Sequence, residues 1–300
     1  MILAITGGTG FVGARLIDLA VASGVHVRAL ARRAQPARAG VDWITGALDD
    51  DAALTRLCAG ADAAIHVAGA VNAPDRAAFD RANVAGTQAM LAAAQTTGIA
   101  RFVHVSSLAA RRPDLSMYGA SKAAAEAVVM ASPLDWTIVR PPAVFGPGDR
   151  EMVDVYRLAA RGLALLPPPG RLSLIAADDL ARLLLALART SGPAAVLEPD
   201  DGTEGGWSHR DYARMVGAAV RRRPLAIALP RPLLMLAARV DMALRGAGAK
   251  LTTDRARYMA HPDWTADPAR RPPPALWTPQ VATANGIAQT AQWYREQGLI

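Results

Sequence analysis

Cysteine is nearly absent from this chain of 300 residues, in which Cys58 is the only one. A single cysteine excludes an intramolecular disulfide, and without Cys/His clusters we expect no bound metal. Residues 225–244 are the most apolar stretch, but prolines and charges interrupt them before the roughly 18 apolar residues that a membrane span needs. Residues 2–6 lead directly into a glycine loop, which is not the pattern of a secretory leader. We therefore expect a cytoplasmic protein with no membrane span.

Lysine is also scarce, since Lys122 and Lys250 are the only lysines among 33 basic residues. The formal net charge is +7, but the arginines are scattered along the chain. Two arginine clusters, at 221–223 and 270–271, are interpreted as solvated surface, although either could meet an anionic substrate. The charge pattern therefore predicts a small-molecule substrate and no nucleic-acid partner.

Apolar runs of strand length alternate with Ala/Leu-rich helical stretches through the first half of the chain. The predicted strands are residues 2–6, 25–30, 41–45, 62–67, 100–106 and 135–140. The predicted helices are residues 11–23, 50–59, 75–97 and 118–131. This alternation predicts the α/β class, with a Rossmann-like doubly wound parallel sheet.

Prolines and glycines punctuate residues 141–170, where we predict that the chain leaves the sheet. After an apolar run at 172–175, a helix near 178–188 and a strand at 194–197 are predicted to return to it. We therefore assign residues 1–145, rejoined by 176–198, to a dinucleotide-binding domain. Residues 146–175 and 199–300 are predicted to form a smaller, mainly helical substrate-binding region that closes over the nicotinamide end.

The first predicted strand is followed at once by Gly7, Gly10 and Gly13 and then by a helix. Glycines let the backbone turn sharply and approach a pyrophosphate, and the helix N-terminus offers free N–H groups to it. The alternative, a purely structural turn, is less favoured by this strand and helix context. The loop predicts a dinucleotide cofactor.

The second predicted strand ends beside the expected position of the adenosine ribose, where NAD-binding chains carry an acidic residue. Here Ala31 is followed by Arg32 and Arg33, which could pair with a 2′-phosphate. The arginines therefore predict NADP, with NAD possible; alternatively, both are ordinary surface residues of an arginine-rich chain.

Tyr118 and Lys122 lie four residues apart at the start of a predicted helix, so both side chains share one face. A nearby ammonium and an oxidised nicotinamide favour the phenolate form of a tyrosine. The preceding pair, Ser106 and Ser107, follows the fifth predicted strand and supplies hydroxyls near the same sheet edge. The pattern predicts an oxidoreductase site.

These motifs, together with Asn83-Val84-x-Gly86-Thr87 and Arg140-Pro141, resemble the extended short-chain dehydrogenase/reductases, in particular the NAD-dependent epimerase/dehydratase group that includes dihydroflavonol reductases and 3β-hydroxysteroid dehydrogenases. The resemblance covers about residues 1–190. It implies that Tyr118 is the general acid/base, that Lys122 activates it and binds the nicotinamide ribose, and that Ser107 donates to the substrate oxygen, with Ser106 as the alternative. The implied cofactor-binding residues are Gly7, Gly10, Phe11, Val12, Gly13, Arg32, Arg33, Leu48, Ala68, Lys122 and Pro141. Asn83 and Ser121 have either a site role or a structural one.

Two departures from the family pattern bear on the function. Ala143 stands where nucleotide-sugar enzymes carry a substrate-binding Asn, and Ala47 stands where an Asp usually meets the adenine. We therefore predict NADP-dependent hydride transfer to or from a carbonyl or secondary alcohol of a small or apolar substrate. Two alternatives stay open: a sugar or nucleotide-sugar epimerase/dehydratase, and a non-catalytic dinucleotide-sensing or assembly subunit. A homodimer through the helices at 75–97 and 118–131 is also possible.

Overall fold

The computed structural model describes residues 1–192, 194–249 and 251–300. The strands are β1 (Ile2–Thr6), β2 (His26–Ala31), β3 (Val41–Thr45), β4 (Ala63–His66), β5 (Arg101–Val105), β6 (Asp135–Val139), β7 (Ala143–Phe145), β8 (Leu163–Leu166), β9 (Arg171–Leu172), β10 (Leu174–Ala176), β11 (Ala195–Leu197), β12 (Trp207–Ser208), β13 (Leu225–Ala228) and β14 (Asp263–Trp264). The α-helices are α1 (Phe11–Ala22), α2 (Asp51–Cys58), α3 (Arg76–Phe79), α4 (Gly86–Thr96), α5 (Met117–Met130), α6 (Val153–Ala160), α7 (Ala177–Arg189), α8 (His209–Ala219), α9 (Arg231–Arg245), α10 (Thr253–Met259) and α11 (Thr283–Glu296). Short 3-10 helices cover Leu108–Arg111, Gly246–Gly248 and Pro268–Arg270, and a π-helical segment covers Asp80–Ala85.

Seven parallel strands form the main sheet, in the order β11-β6-β5-β4-β1-β2-β3. The strand order reverses between β1 and β4, because the chain first builds outward from β1 to β3 and then returns to the other side. In doubly wound folds, ligands bind at the carboxyl ends of the strands beside such a reversal. The glycine loop after β1 lies at this point, so the predicted α/β doubly wound fold is confirmed.

The predicted strands and helices of the first half agree with the observed ones to within two residues at most ends. The central strands β4 and β5 are buried along their whole length, and β1 is buried except at Ile2, which agrees with their mainly apolar sequences. The predicted helix at 75–97 is interrupted, because Asp80–Ala85 forms a π-helical segment between α3 and α4. Asn83 lies in this segment.

The chain divides into two compact units. Unit 1 comprises Met1–Pro141, Ala177–Pro199 and Arg270–Thr278. Its core lies between the main sheet and α2, α4 and α5, and α1 packs on α7. Residues 270–278, assigned from sequence to the substrate-binding region, lie in unit 1 because Trp277 Nε1 donates to Asp179 O at 2.9 Å and Glu198 N donates to Arg270 O at 2.8 Å.

Unit 2 comprises Pro142–Ala176, Asp200–Ala269 and Pro279–Ile300. It contains α6 and α8–α11 with three small sheets, β10-β7, β12-β9-β14 and β13-β8, and its core is centred on Tyr156 and Tyr294. Residues 172–175, assigned from sequence to the substrate-binding region, lie in this unit. They belong to β9 and β10, and β10 pairs with β7 through Leu174 and Ala143. The strand at Ala195–Leu197 does return, beside β6.

Neither a membrane-crossing helix nor a metal cluster is found in the part of the chain that the structure describes. No helix there is long and apolar enough to cross a bilayer. No group of three or more His, Cys, Asp or Glu residues there is placed to hold a metal ion.

Candidate active site

The glycine loop connects β1 to α1 with very close backbone packing. Gly7 has φ +74°, in the left-handed region, and a Cβ there would come within 2.7 Å of the Ala68 backbone nitrogen. Gly10 N donates to Gly7 O at 3.0 Å. A Cβ at Gly13 would collide with the same Gly7 carbonyl oxygen. Only glycine fits at positions 7 and 13 without moving the backbone.

The first turn of α1 offers backbone donors to a ligand. The helix begins at Phe11, Gly10 precedes it, and no side chain in the described structure caps this end. The first N–H groups of a helix lack intrahelical partners, and the helix dipole adds partial positive charge to them. Phe11 and Val12 are half-buried. The glycine cradle and this open helix end fit the pyrophosphate of a nicotinamide dinucleotide.

The residues predicted to meet the adenosine end follow β2 and β3. Arg32 and Arg33 come directly after β2 and are exposed, and within the described residues neither guanidinium has a hydrogen bond or an ion pair. Leu48, after β3, packs on α4, since a Cβ at Gly86 would lie 2.6 Å from Leu48 Cδ1. The two arginines are therefore available to a ligand, and Leu48 is held in place by packing.

Ser107 and Tyr118 are brought together by a serine cap and a short helix. Ser107 follows β5 and caps the 3-10 helix Leu108–Arg111, its Oγ accepting from Ala109 N at 3.2 Å. Ser116 caps α5, its Oγ accepting from Gly119 N at 3.0 Å, and so fixes the helical turn that carries Tyr118. The Ser107 side chain lies close enough to the Tyr118 hydroxyl to act on its pKa. Burial raises the pKa of Tyr118, and the Ser107 side chain partly opposes this.

Lys122 lies one helical turn after Tyr118 and is only 5% exposed. Its Nζ donates to Val105 O, at the end of β5, at 2.9 Å, and a Cβ at Gly69 would lie 3.3 Å from Nζ. Burial lowers the pKa of Lys122 to about 8, while the Glu126 carboxylate raises it. The ammonium is thus held between the loops that follow β4 and β5, and it stays largely protonated at neutral pH.

A chain of hydrogen bonds from Asn83 fixes the first turn of α5. The Asn83 side chain accepts from Ala70 N at 2.7 Å and donates to Ala70 O at 3.0 Å and to Ser121 Oγ at 2.8 Å. Ser121 Oγ in turn donates to Tyr118 O at 2.8 Å. The amide of Asn83 therefore ties the loop after β4 to the turn that carries Tyr118. These contacts account for Asn83 and Ser121 as positioning residues.

A buried network of acids and arginines lies behind the site, and the sequence analysis did not predict it. Ser106 Oγ donates to Glu126 Oε1 at 2.5 Å. Arg140 donates to both oxygens of Glu126, at 2.8 and 2.6 Å, and to Glu198 at 3.3 Å, and Arg111 also pairs with Glu198. A sequence signal existed for Glu126, the only acid in α5, which lies four residues after Lys122. Nothing in the local sequence indicates Glu198.

The network separates the two candidate serines. Ser106 is 3% exposed, and its hydroxyl donates to the Glu126 carboxylate. The Ser107 side chain instead acts on the Tyr118 hydroxyl.

Two other predicted cofactor residues, Ala68 and Pro141, lie after β4 and β6 at the same sheet edge. Ala68 N donates to Thr6 Oγ1 at 3.3 Å, and Pro141 O accepts from Leu108 N at 3.1 Å. All of these residues belong to unit 1.

His66 and His104 are buried side by side behind the candidate site. Their rings stack with centroids 5.5 Å apart, and their exposed fractions are 0% and 1%. Burial lowers the pKa of His66 to about 3 and that of His104 well below its usual range, with Lys122 adding to both shifts. Both rings are therefore neutral in the folded protein at neutral pH.

Comparison with known proteins assigns the chain to a family. A family model described as NAD(P)H-binding matches residues 7–190. The chain is 37% identical to the ceramide reductase of Caulobacter vibrioides (strain NA1000 / CB15N) over 310 residues, covering 100% of this chain and 96% of the relative. It is 34% identical to the 2-alkyl-3-oxoalkanoate reductase of Stenotrophomonas maltophilia (strain K279a) over 187 residues, covering 54% of this chain and 56% of that protein.

A solved structure, the Bordetella bronchiseptica enzyme WbmG in complex with NAD, matches with a TM-score of 0.77 and covers 100% of this chain and 95% of its own. Its sequence is 22% identical, so this likeness shows the fold alone. Fold, glycine cradle and full-length similarity to a reductase agree with each other. The chain belongs to the extended short-chain dehydrogenase/reductases, in the NAD-dependent epimerase/dehydratase-like group, and is an NAD(P)-dependent reductase.

Proposed function

We propose that this protein uses NADPH to reduce a ketone on a long-chain lipid to a secondary alcohol. The observation that carries the proposal is that α5 places Tyr118 and, one helical turn later, the Lys122 ammonium at the end of β5, where the Ser107 side chain acts on the Tyr118 hydroxyl. This group lies at the sheet edge that also holds the glycine cradle. Full-length similarity to a ceramide reductase supports the lipid part of the proposal.

A bound NADPH supplies the hydride, and the protein then has to supply one proton to the ketone oxygen. Tyr118 Oη donates that proton, and Ser107 Oγ holds the oxygen in reach of it. The raised pKa of Tyr118 suits this direction, because the phenol stays protonated at neutral pH. The reaction balances: one hydride at carbon and one proton at oxygen convert the ketone to an alcohol.

Lys122 acts on the proton donor by charge. Its ammonium stabilises the phenolate that forms at Tyr118 once the proton has left, and its position beside Gly69 suits a hydrogen bond to the ribose of the cofactor. Proton return to Tyr118 then follows from solvent. Deprotonation of Lys122, whose pKa is about 8, removes this stabilisation of the phenolate at alkaline pH.

Arg32 and Arg33 support a preference for NADPH over NADH. Their exposed guanidinium groups follow β2, the strand whose end meets the adenosine ribose in this fold. Arginines recognise phosphate through paired N–H donors, so a 2′-phosphate would meet two cations there. The chain has no acidic residue directly after β2 to accept from a ribose 2′-hydroxyl.

The two reductase relatives indicate what kind of ketone to test. One is named for ceramide, a lipid, and the other for 2-alkyl-3-oxoalkanoates, which are ketones that carry alkyl groups. The exposed Ala143 offers no polar side chain to a sugar nucleotide, which does not favour the epimerase/dehydratase alternative. We therefore choose an N-acylated 3-oxo long-chain base, the oxidised form of a ceramide, as the first substrate.

The test follows loss of reduced nicotinamide absorbance when this ketone is added in detergent micelles. We expect oxidation of NADPH in the wild type, and a loss of about 100-fold or more in kcat for Tyr118→Phe, which keeps the ring but removes the proton. Tyr212→Phe, at a half-buried tyrosine of unit 2, is the matched control and should retain activity. Activity of Tyr118→Phe equal to wild type would refute the assignment of the proton donor.

Cofactor choice is tested separately by titrating the protein with NADPH and NADH and following nicotinamide fluorescence. The double variant Arg32→Ala, Arg33→Ala should lose about 10-fold or more of its NADPH affinity and leave NADH binding nearly unchanged. The double variant Arg56→Ala, Arg81→Ala removes two other exposed arginines and should bind as the wild type does. Equal losses of NADPH and NADH affinity in Arg32→Ala, Arg33→Ala would show that these two arginines do not recognise the 2′-phosphate.

A homodimer through the helices at 75–97 and 118–131 stays part of the proposal. In the single chain α4 and α5 already pack on each other. Analytical ultracentrifugation decides between a monomer and a dimer.

A further inference from the structure

Residues 221–245 combine an arginine run, an exposed apolar strand and a helix with an exposed apolar stripe. The segment carries six arginines and one acid, Asp241, so its net charge is 6 − 1 = +5. All of it lies in unit 2 and outside the candidate active site. We propose that this segment, called here the docking segment, binds the surface of a membrane that contains anionic lipids.

The two-stranded sheet β13-β8 exposes three large apolar side chains on its outer face. Leu225 is 66% exposed, and Ile227 pairs in register with Leu165, which is 51% exposed. The opposite face is buried, with Ala164 and Leu166 packing against Ala213 of α8. An exposed patch of large apolar side chains on a folded protein commonly marks a contact surface. This face therefore indicates an apolar partner.

The helix α9, which follows β13 after two residues, also exposes large apolar side chains. Leu233, Leu236, Val240 and Leu244 occur at a spacing that places them on one helix face, and all four are 49–81% exposed. The buried positions Leu234 and Ala238 lie on another face, which packs on α10. The helix is about 22 Å long, too short to span a bilayer but long enough to lie along its surface.

Charge complementarity identifies the partner as an anionic surface. Arg221, Arg222 and Arg223 line a depression together with Arg214, and Arg210 lines the adjoining one. Among the residues that the structure describes, Arg210 and the three arginines of the run have no ion pair. The apolar stripe of α9 also lies beside the exposed Arg239 of the same helix. An apolar helix face flanked by basic residues is typical of binding to anionic lipid head groups.

The backbone at Arg221 supports a role for its side chain. Arg221 has φ +57°, and it is the only non-glycine residue of the described chain with positive φ. It follows the end of α8, a position where glycine is usual because it has no Cβ to strain. An arginine there costs stability relative to glycine, which supports a functional role for this side chain.

Vesicle flotation tests the proposal with the full-length protein and no substrate. The vesicles consist of phosphatidylcholine alone, or with about one third phosphatidylglycerol. We expect the wild type to float with the anionic vesicles, and binding to weaken as salt is raised. Failure of the wild type to bind anionic vesicles would overturn the proposal.

Two variants separate charge from apolar contact. Arg221→Gly, Arg222→Ser, Arg223→Ser should bind the anionic vesicles about 100-fold more weakly, and the glycine should preserve folding because it suits the positive φ. Leu236→Ser, Val240→Ser should weaken binding by about 10-fold or more. Circular dichroism melting verifies that both variants are folded.

Matched controls come from exposed residues elsewhere. Arg56→Ser, Arg81→Ser, Arg189→Ser removes the same number of charges from unit 1, and Met130→Ser, Val155→Ser removes two exposed apolar groups. Both controls should bind vesicles as the wild type does. Equal losses in the controls would mean that net charge or overall hydrophobicity, rather than the docking segment, controls binding.

The alternative occupant is a second copy of the chain, and sedimentation equilibrium distinguishes it. If Leu236→Ser, Val240→Ser converts a dimer to a monomer and leaves vesicle binding unchanged, the face is a self-association surface and the proposal is wrong. The proposal does not rest on the reaction proposed above, because binding is measured without turnover. Reduction of a short, water-soluble ketone should be the same in the docking-segment variants as in the wild type.

Discussion

Acidification from pH 7 to pH 5 should lower the free energy of unfolding, because the buried pair His66 and His104 has to stay neutral to remain folded. Thr87 Oγ1 donates its one proton to Asn83 O, so it accepts from His66 Nε2, 3.1 Å away. His66 is therefore held as the neutral Nε2–H tautomer. Its Nδ1 then accepts from Thr6 Oγ1, 2.8 Å away, and protonation of Nδ1 would remove this acceptor.

The magnitude follows from the shift of the His66 pKa, from 6.5 to about 3. The folded-state pKa is lowered, so the unfolded chain binds more protons than the folded one between these two values. Stability is therefore lost as the pH falls through 6.5, and the loss from pH 7 to pH 5 is about 2 kcal/mol for His66. The lowered pKa of His104 acts in the same direction and makes the loss larger.

Urea unfolding, followed by tryptophan fluorescence at a series of pH values from 7.5 to 5, measures this loss. His104→Leu removes a titrating ring whose two nitrogens lack partners in the described structure, so its stability should fall less steeply with pH. Phe102→Leu, on the same strand and without a titrating group, should lower stability equally at every pH. A wild-type free energy that stays constant between pH 7 and pH 5 would refute the reasoning.

Three further predictions concern the candidate active site. Ser107→Ala should lower kcat for ketone reduction about 100-fold, whereas Ser106→Ala should mainly lower the melting temperature, because its hydroxyl serves a buried carboxylate. Glu126→Gln should lower the pKa of Lys122 further, so the alkaline loss of kcat/KM should begin about one pH unit lower. Gly13→Ala should abolish NADPH binding by fluorescence titration, because its Cβ would meet a backbone oxygen of the cradle.

Each of these has a matched comparison. Glu198→Gln removes an acid from the same network, but Glu198 does not act on Lys122. The alkaline loss of kcat/KM in this variant should therefore begin at the same pH as in the wild type. Gly24→Ala has nothing within 4 Å of its Cβ and should keep NADPH binding despite a strained positive φ. Equal kcat losses in Ser106→Ala and Ser107→Ala would contradict the separation of the two serines.

The local sequence was sufficient for the main sheet and for part of the candidate site. Strand and helix periods are short-range properties, so the alternation through residue 140 predicted the doubly wound sheet, and a strand-glycine-helix sequence predicted the cradle at Gly7 and Gly13. The spacing of Tyr118 and Lys122 predicted their shared helix face in the same way. Their roles in catalysis, and those of the cofactor residues, stay predictions that the variants above test.

The tertiary structure alone decided which serine meets Tyr118 and where the later segments pack. Ser106 and Ser107 are neighbours with the same chemistry, and only the carboxylate of Glu126, 20 residues away, distinguishes them. The pairing of β10 with β7 and the packing of residues 270–278 in unit 1 also depend on contacts between segments far apart in sequence. The sequence by itself determined the elements and the glycine cradle, because their physical causes act within one turn or strand. The buried network around Arg140 was decided by packing, because its acids lie 14 and 58 residues away along the chain.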